Sequence, residues 1–120
     1  MHRALPGILV GGVVGSATRW AVLELGAAAE YPSTATLVVV NALGCFVLGV
    51  AMARWPDATD RWRLSIGVGF AGGLTTFSAL AVDIAARLHQ GDYAPIVASV
   101  PAQLLAGVVF FVIGRRITTT

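Results

Sequence analysis

The sequence predicts an all-α membrane protein of four transmembrane helices, and three observations carry that prediction. Hydrophobic residues make up 57% of the 120 and charged residues only 12%, with a mean hydropathy of +0.81. A soluble domain is about half apolar and about a quarter charged. The apolar residues gather in four runs, each long enough at about 1.5 Å per residue to cross a hydrocarbon core of about 30 Å. Finally, Trp20, Tyr31, Trp55, Trp62 and Tyr93 all fall at or near the ends of those runs, as an interfacial aromatic belt requires. One domain over residues 1–120 is expected, because each span needs its neighbours to pack against.

Span one is read from Leu5 to Leu25. His2-Arg3 followed by Leu5–Val14 has the outline of a signal peptide, but apolar character resumes after Arg19 and further spans follow, so an uncleaved helix is expected. Gly7, Gly11 and Gly15 recur at every fourth residue and form one smooth face for close helix approach. Arg19 lies well inside the span, where its charge needs a partner or water. Glu24 is near the span's end and is expected to be solvated. After the Glu30–Ser33 loop, Ser33 or Thr34 is a natural N-cap. Span two is read from Ala35 to Ala53, with Asn41 at depth and Gly44 and Gly49 as small faces.

The most polar loop runs from Arg54 to Arg63, with Pro56 ending the helix and Asp57 opening a turn. Span three is read from Leu64 to Leu88. Within it, Asp83 and Arg87 are placed to pair at i,i+4. A short turn, His89–Tyr93, leads to span four, Ala94 to Ile113, which stops at Gly114-Arg115-Arg116. Pro101 should kink that span, and Ser99 and Gln103 share one of its faces.

Span three is interrupted by Gly67-Val-Gly-Phe-Ala-Gly-Gly-Leu-Thr-Thr-Phe-Ser-Ala-Leu80. Each glycine weakens a helix by up to about 1 kcal/mol relative to Ala, and Thr75, Thr76 and Ser78 add hydroxyls where lipid favours apolar side chains. Non-helical backbone is tolerated at membrane depth only when buried in protein or lining a wet cavity. Broken membrane helices turn freed carbonyls and amides toward ions. The stretch is therefore either a tight packing patch or a site for a small ion, with the helix broken over Gly72–Thr76.

Several function classes drop out. Every basic residue is Arg, the net charge is +2 and the pI is near 9.3. The arginines are spread over loops rather than gathered in a stripe, so no nucleic-acid partner is expected. Cys45 is the only cysteine and sits in an apolar run, which excludes an intrachain disulfide and points to packing. No nucleophile–base pair, metal-ligand cluster or phosphate loop is present, and an enzyme is not expected. Four spans put both termini and the 54–63 loop on one side with Arg3, Arg54, Arg61, Arg63, Arg115 and Arg116. The other side has Arg87, and Arg19 if it snorkels that way. The positive-inside rule then places both termini in the cytoplasm.

Each polar residue in the spans has two readings. Asn41 is interhelical glue, worth about 0.6–2 kcal/mol, or a double hydrogen-bond donor to a ligand. Phe77 is a core or lipid-facing ring, or one whose positive edge meets an anion. Thr75, Thr76 and Ser78 bond back to their own helix or supply hydroxyls to a site. Asp83 is the partner of Arg87 or a proton carrier.

Three segments together resemble the CrcB/Fluc family of fluoride channels: Gly11-Gly-Val-Val-Gly-Ser-Ala-Thr-Arg19-Trp20, Asn41-Ala-Leu-Gly44-Cys-Phe46-Val-Leu-Gly49, and Gly69-Phe-Ala-Gly72-Gly73-Leu-Thr75-Thr76-Phe77-Ser78. They cover spans one to three in the family's order and spacing. The resemblance implies an antiparallel dimer of four-helix subunits enclosing two narrow fluoride pathways in the cell membrane, exporting fluoride passively. It makes Asn41 a pore donor to fluoride, Phe77 a ring whose edge faces the ion, and Thr76 and Ser78 neighbours on the pathway. Arg19 becomes a vestibule residue, and the carbonyls of Gly72 and Thr75 become ligands, from both subunits, of a structural sodium ion.

The chain also departs from the family pattern. Leu80 stands where the family usually has a second Phe, and Leu37, beside Thr36, where it has a Thr. The span-four hydroxyl has only Ser99 and Gln103 as candidates. An antiparallel homodimer needs one chain to insert both ways, which the arginine bias opposes. The preferred expectation is a heterodimer with an oppositely oriented paralogue, with a homodimer as the alternative. Two other classes stay open: a small proton-coupled exporter, which wants an acidic residue deeper in span one than Glu24, and a non-conducting subunit of a membrane complex.

Overall fold

The computed structural model describes residues 3–119; His2 lies outside them. Among the described residues all regular structure is helical. Helix α1 is Leu5–Ala28 and α2 is Ser33–Arg54. The third span is built in pieces: a π-helical segment, Arg63–Ala71, then α3, Gly72–Leu74, and, after a break, α4, Ser78–Gln90. Helix α5 is Ala94–Thr119. Four spans, Leu5–Ala28, Ser33–Arg54, Arg63–Gln90 and Ala94–Thr119, are long and apolar enough to cross a membrane. The long dimension of 48 Å matches a bilayer with its headgroups, about 40–45 Å.

Local chemistry sets the ends. Pro6 sits in the first turn of α1, where a missing N–H costs nothing. At the other end Tyr31 N–H reaches the Gly26 carbonyl at 2.9 Å and Glu30 N–H the Ala27 carbonyl at 3.0 Å. This Schellman turn leaves Glu30 at φ 58, a position glycine usually fills. The end of α4 is the same turn with glycine present. Gly91 has φ 73, Asp92 N–H meets the Arg87 carbonyl at 3.0 Å, and Gly91 N–H meets the Leu88 carbonyl at 3.1 Å. Helix α2 starts after Pro32 without a side-chain cap. The expected caps, Ser33 and Thr34, instead send their hydroxyls across to Asp83. Helix α5 runs six residues past the expected end at Ile113 and continues through Pro101 as one helix.

Glycines decide which helices touch. On α1, a Cβ at Gly11 would run into the Ser65 carbonyl and one at Gly15 into the Phe70 carbonyl. On the third span, a Cβ at Gly69 would meet the Ile8 carbonyl and one at Gly73 the Gly12 carbonyl. Backbone thus lies on backbone, the approach that small-xxx-small faces permit in lipid. A second seam joins α2 and α5, where Gly49 faces the Phe111 carbonyl and Gly114 the Phe46 carbonyl. Helix α2 lies at the centre and buries Thr36, Leu37, Val40, Ala42, Gly44, Gly49 and Ala51.

The break falls within the expected stretch, but at its far end. Gly72 and Gly73 stay helical, and the chain turns extended at Thr75 (φ −77°, ψ 154°). The glycines belong to the packing seam and the threonines to the break, so both readings of the stretch apply, to different residues.

Candidate functional site at the broken third helix

A break in a membrane helix must find partners for its freed backbone groups. Here side chains from the other spans provide them. Thr76 N–H donates to Asn41 Oδ1 at 2.8 Å, and Asn41 Nδ2 donates back to the Thr76 carbonyl at 3.1 Å. The amide of Asn41 therefore copies the pairing of a neighbouring strand and holds the extended residue from α2. On the other side of the break, Arg19 Nη1 donates to the Thr75 carbonyl at 2.9 Å. That contact answers why an arginine sits inside the first span: its charge meets the carbonyl end of the helix before the break, where the macrodipole is negative.

The amide end of α4 is positive by the same logic, and hydroxyls gather there. Thr76 Oγ1 accepts from Ala79 N–H at 3.2 Å and so caps the new helix; it also lies 3.1 Å from Ser78 Oγ. That pair has two O–H protons and needs one for its mutual bond, so one hydroxyl donor is left over. Thr75 behaves differently. Its Oγ1 bonds back to the Ala71 carbonyl at 3.0 Å, beside its own N–H on the same oxygen at 3.0 Å.

These residues line a groove of about 410 Å³ whose wall is mostly apolar, with Asn41, Thr75, Thr76 and Gln103 as its polar strip. Gly72, Phe77, Leu80 and Leu104 complete its mouth and floor. Phe77 is 79% exposed and stands out from the subunit, while Leu80 is 5% exposed and sits in the floor. Ser78 is not in the wall of the groove and joins it through Thr76. Arg19 is on the opposite face of the break, apart from the groove. Gly72 is exposed and has open space around its Cα. Its carbonyl has lost its helical partner, because Thr76 N–H goes to Asn41.

Gln103 carries more of the site than the sequence suggested. Its Oε1 accepts the second Asn41 Nδ2 hydrogen at 3.1 Å. The i,i+4 face shared with Ser99 was the available signal, and it did not separate the two. Ser99 turns its hydroxyl back to the Ile96 carbonyl at 3.2 Å. Asp83 is a structural partner: its carboxylate takes Ser33 Oγ at 2.6 Å, Thr34 Oγ1 at 2.9 Å and Arg87 Nε at 3.1 Å. Arg87 also donates to Thr34 Oγ1 at 2.8 Å. This cluster ties α4 to the start of α2, one end away from the groove. Cys45 is half-buried, lines the groove and packs toward Gly107 on α5. Among the described residues no cluster of three His, Cys, Asp or Glu side chains is placed to hold a metal.

Comparison with known proteins places this geometry in a family. A protein of Yersinia pestis named fluoride-specific ion channel FluC 1 is 38% identical over 98 residues, which is 78% of this chain and 76% of that protein. The fluoride-specific ion channel FluC of Escherichia coli O1:K1 is 32% identical over 123 aligned positions, 99% of this chain and 97% of its own length. That of Chromobacterium violaceum is 34% identical over 104, or 83% and 82%. Residues 7–115, which take in the groove and most of every span, match the family described as CrcB-like protein, Camphor Resistance (CrcB), and the chain belongs to that family.

Proposed function

We propose that this chain forms a fluoride-selective channel through which cytoplasmic fluoride leaves the cell passively, lowering its toxicity. Relatives named as fluoride-specific channels, matched over 78% and 99% of this chain, carry the reading. The chemistry of the groove supports it. Fluoride is small and strongly hydrated, so a pathway must replace its water with dense donors while binding weakly enough to release it. The amide end of α4, the spare Thr76–Ser78 hydroxyl, the ring edge of Phe77 and the carboxamide of Asn41, whose N–H on Gln103 Oε1 can pass to the ion, are neutral donors of that kind. Among the described residues no full positive charge lines the groove, and Arg19, outside it, is spent on the Thr75 carbonyl.

A groove open on one side needs a second subunit to close it. Phe77, standing out from the surface, and Gly72, with space that a close neighbour can enter, face that partner. We place the chain in the cell membrane with both termini cytoplasmic, paired antiparallel with an oppositely oriented paralogue. The arginine bias supports a heterodimer, and a homodimer is the alternative. At the axis of such a dimer the Gly72 carbonyl, free of its helical bond, fits a sodium ligand well. The Thr75 carbonyl has only the lone pair that Arg19 leaves. Sodium there would neutralise carbonyl oxygens facing one another across the axis.

Purified protein in liposomes, read by a fluoride electrode with chloride as the control, tests the function. Fluoride efflux that is indifferent to a proton gradient and far faster than chloride efflux is the expected result. Equal rates for the two ions, or none above empty vesicles, overturns the reading. Native mass analysis of the chain expressed alone tests the assembly: a stable homodimer that conducts removes the need for a paralogue.

A further inference from the structure

We infer that Arg3 and Arg61 form a site for the phosphate of an anionic phospholipid, seated where the start of α1 meets the start of the third span. The site goes beyond the channel reading above and does not depend on it. The two arginines are far apart in the sequence, and a packing contact brings them together. Gly7 rests so close to Ser65 that a Cβ at Gly7 would run into the Ser65 side chain. Arg3 lies one turn's spacing before Gly7 and Arg61 the same spacing before Ser65. Ser65 Oγ donates to the Arg61 carbonyl at 2.7 Å and ties that turn down. Arg3, Arg61, Trp62 and Ser65, together with Ala4 and Gly7, then line one pocket of about 250 Å³. It shares no residue with the groove at the break.

Both cations in this pocket are exposed and open to an anion. Among the described residues the ion pairs belong to Arg87, at the other end of the subunit. The two carboxylates of the loop before the third span are turned to backbone. Asp57 Oδ1 accepts from Thr59 N–H at 2.8 Å, and Asp60 Oδ1 from Trp62 N–H at 2.7 Å. Arg63 is spent on the Pro56 carbonyl at 2.7 Å. Arg61 instead lies over the Trp62 ring, its Cζ 5.3 Å from the centroid. That cation–π contact steadies the guanidinium and leaves its N–H donors for another partner.

Trp62 also sets the depth. A half-exposed tryptophan at a span end sits at headgroup level, so the pocket opens where lipid phosphates lie. Guanidinium groups meet phosphate with two parallel N–H donors, and basic pockets between spans take anionic headgroups. Two cations favour a headgroup of net negative charge over a zwitterionic one, which brings its own ammonium. The space is more than a bare phosphate fills and less than the roughly 300–1,000 Å³ of a drug-sized ligand site, which suits a headgroup.

The test titrates full-length protein in detergent with phosphatidylglycerol, phosphatidylcholine or inorganic phosphate and reads the bound species by native mass spectrometry. It compares wild type, Arg3→Gln/Arg61→Gln and Arg54→Gln/Arg115→Gln. The last removes the same charge from exposed positions outside the pocket. Wild type should give a saturable phosphatidylglycerol adduct, preferred over phosphatidylcholine. The pocket variant should bind it about tenfold or more weakly, and the control variant within about threefold of wild type. Equal weakening of both double variants reduces the effect to net charge and overturns the inference. Equal binding of the two lipids, or inorganic phosphate that displaces phosphatidylglycerol at equal concentration, overturns it as well. Arg61→Gln alone, expected to weaken binding about threefold or more, carries the comparison if the pocket variant does not give a single size-exclusion peak. The readout needs no flux, so an inert channel leaves the lipid site standing, and a missing lipid site leaves the channel reading intact.

Discussion

The two halves of the third span are held by opposite means. Before the break, Arg63–Ala71 and Gly72–Leu74 lie close against α1, with Gly11, Gly15, Gly69 and Gly73 letting backbone rest on backbone along the seam. After the break, α4 makes few close approaches to the rest of the subunit and is held by polar side chains at its two ends. Asn41 grips Thr76 at one end, and Ser33 and Thr34 grip Asp83 at the other. Packed backbone gives a fixed wall. Tethered helix gives a donor-rich end with one face left open. An ion pathway needs both, since the ion must meet donors that hold their places beside a surface that a partner can complete.

The sharpest way to break that contrast is to put volume into the seam. Gly15→Val or Gly73→Val drives side-chain atoms into the Phe70 or Gly12 carbonyl, and backbone cannot step aside as a flexible side chain can. Overpacking of this kind costs about 1–3 kcal/mol or more. The expected outcome is a near-complete loss of monodisperse protein by size exclusion. Gly72→Val, next to Gly73 but with open space around it, should leave the subunit folded and reduce the fraction of dimer. Equal yields from Gly73→Val and Gly72→Val would show that the seam does not hold the first half.

Asn41→Ala attacks the tether at the break. It leaves the Thr76 N–H and carbonyl unpaired at membrane depth, each orphaned group costing about 1–3 kcal/mol. Thermal stability in detergent should fall by a few kcal/mol in all, and fluoride flux should fall with it, because Thr76 is no longer held beside the groove. Protein that melts like wild type would mean that Thr76 finds other partners and that Asn41 is not the clamp.

The outline of this arrangement was legible in the sequence, and its division of labour was not. Span positions followed from hydropathy and from Trp20, Tyr31, Trp55, Trp62 and Tyr93. The Asp83–Arg87 pair followed from helical spacing, and the interrupted third span from its glycines and hydroxyls. What spacing cannot show is which residue across the bundle receives a freed backbone group. Gly72-Gly73 reads as a helix breaker when only propensity is considered. Tertiary packing overrides propensity there and moves the break to Thr75, where the Asn41 amide competes successfully for the Thr76 N–H. Arg19 likewise reads as a buried charge in search of a partner, and only the fold supplies the Thr75 carbonyl. Gln103 was one of two candidates on its face, and the amide chemistry of Asn41 picks it out.

Arg19→Gln tests the other side of the break with a smaller expected effect. Glutamine can still reach a carbonyl but brings no charge to the negative helix end. Hydrogen bonds to charged groups are worth about 1.5–3 kcal/mol against about 0.5–1.5 kcal/mol for neutral ones. Stability should therefore drop by roughly 1 kcal/mol while the fold is retained. Arg19→Lys should recover most of the loss, measured by thermal unfolding in detergent. A larger loss in Arg19→Lys than in Arg19→Gln would show that the planar guanidinium, and not the charge, closes the helix end.

The smallest effects belong to the far end of α4. Ser33→Ala removes one of the three groups that meet the Asp83 carboxylate, leaving Thr34 and Arg87 in place. Because Ser33 and its bond are exposed, the loss should be below about 1 kcal/mol, with flux unchanged. Asp83→Asn goes further by removing the charge that pairs with Arg87, and here the two readings of Asp83 separate. A tether residue predicts modestly reduced stability and fluoride efflux that ignores a proton gradient both before and after the substitution. A proton carrier predicts gradient-driven efflux that Asp83→Asn abolishes in protein of normal stability. With its carboxylate shared among two hydroxyls and a guanidinium, Asp83 has its oxygens committed to holding α4 against the start of α2, which is the geometry of a tether.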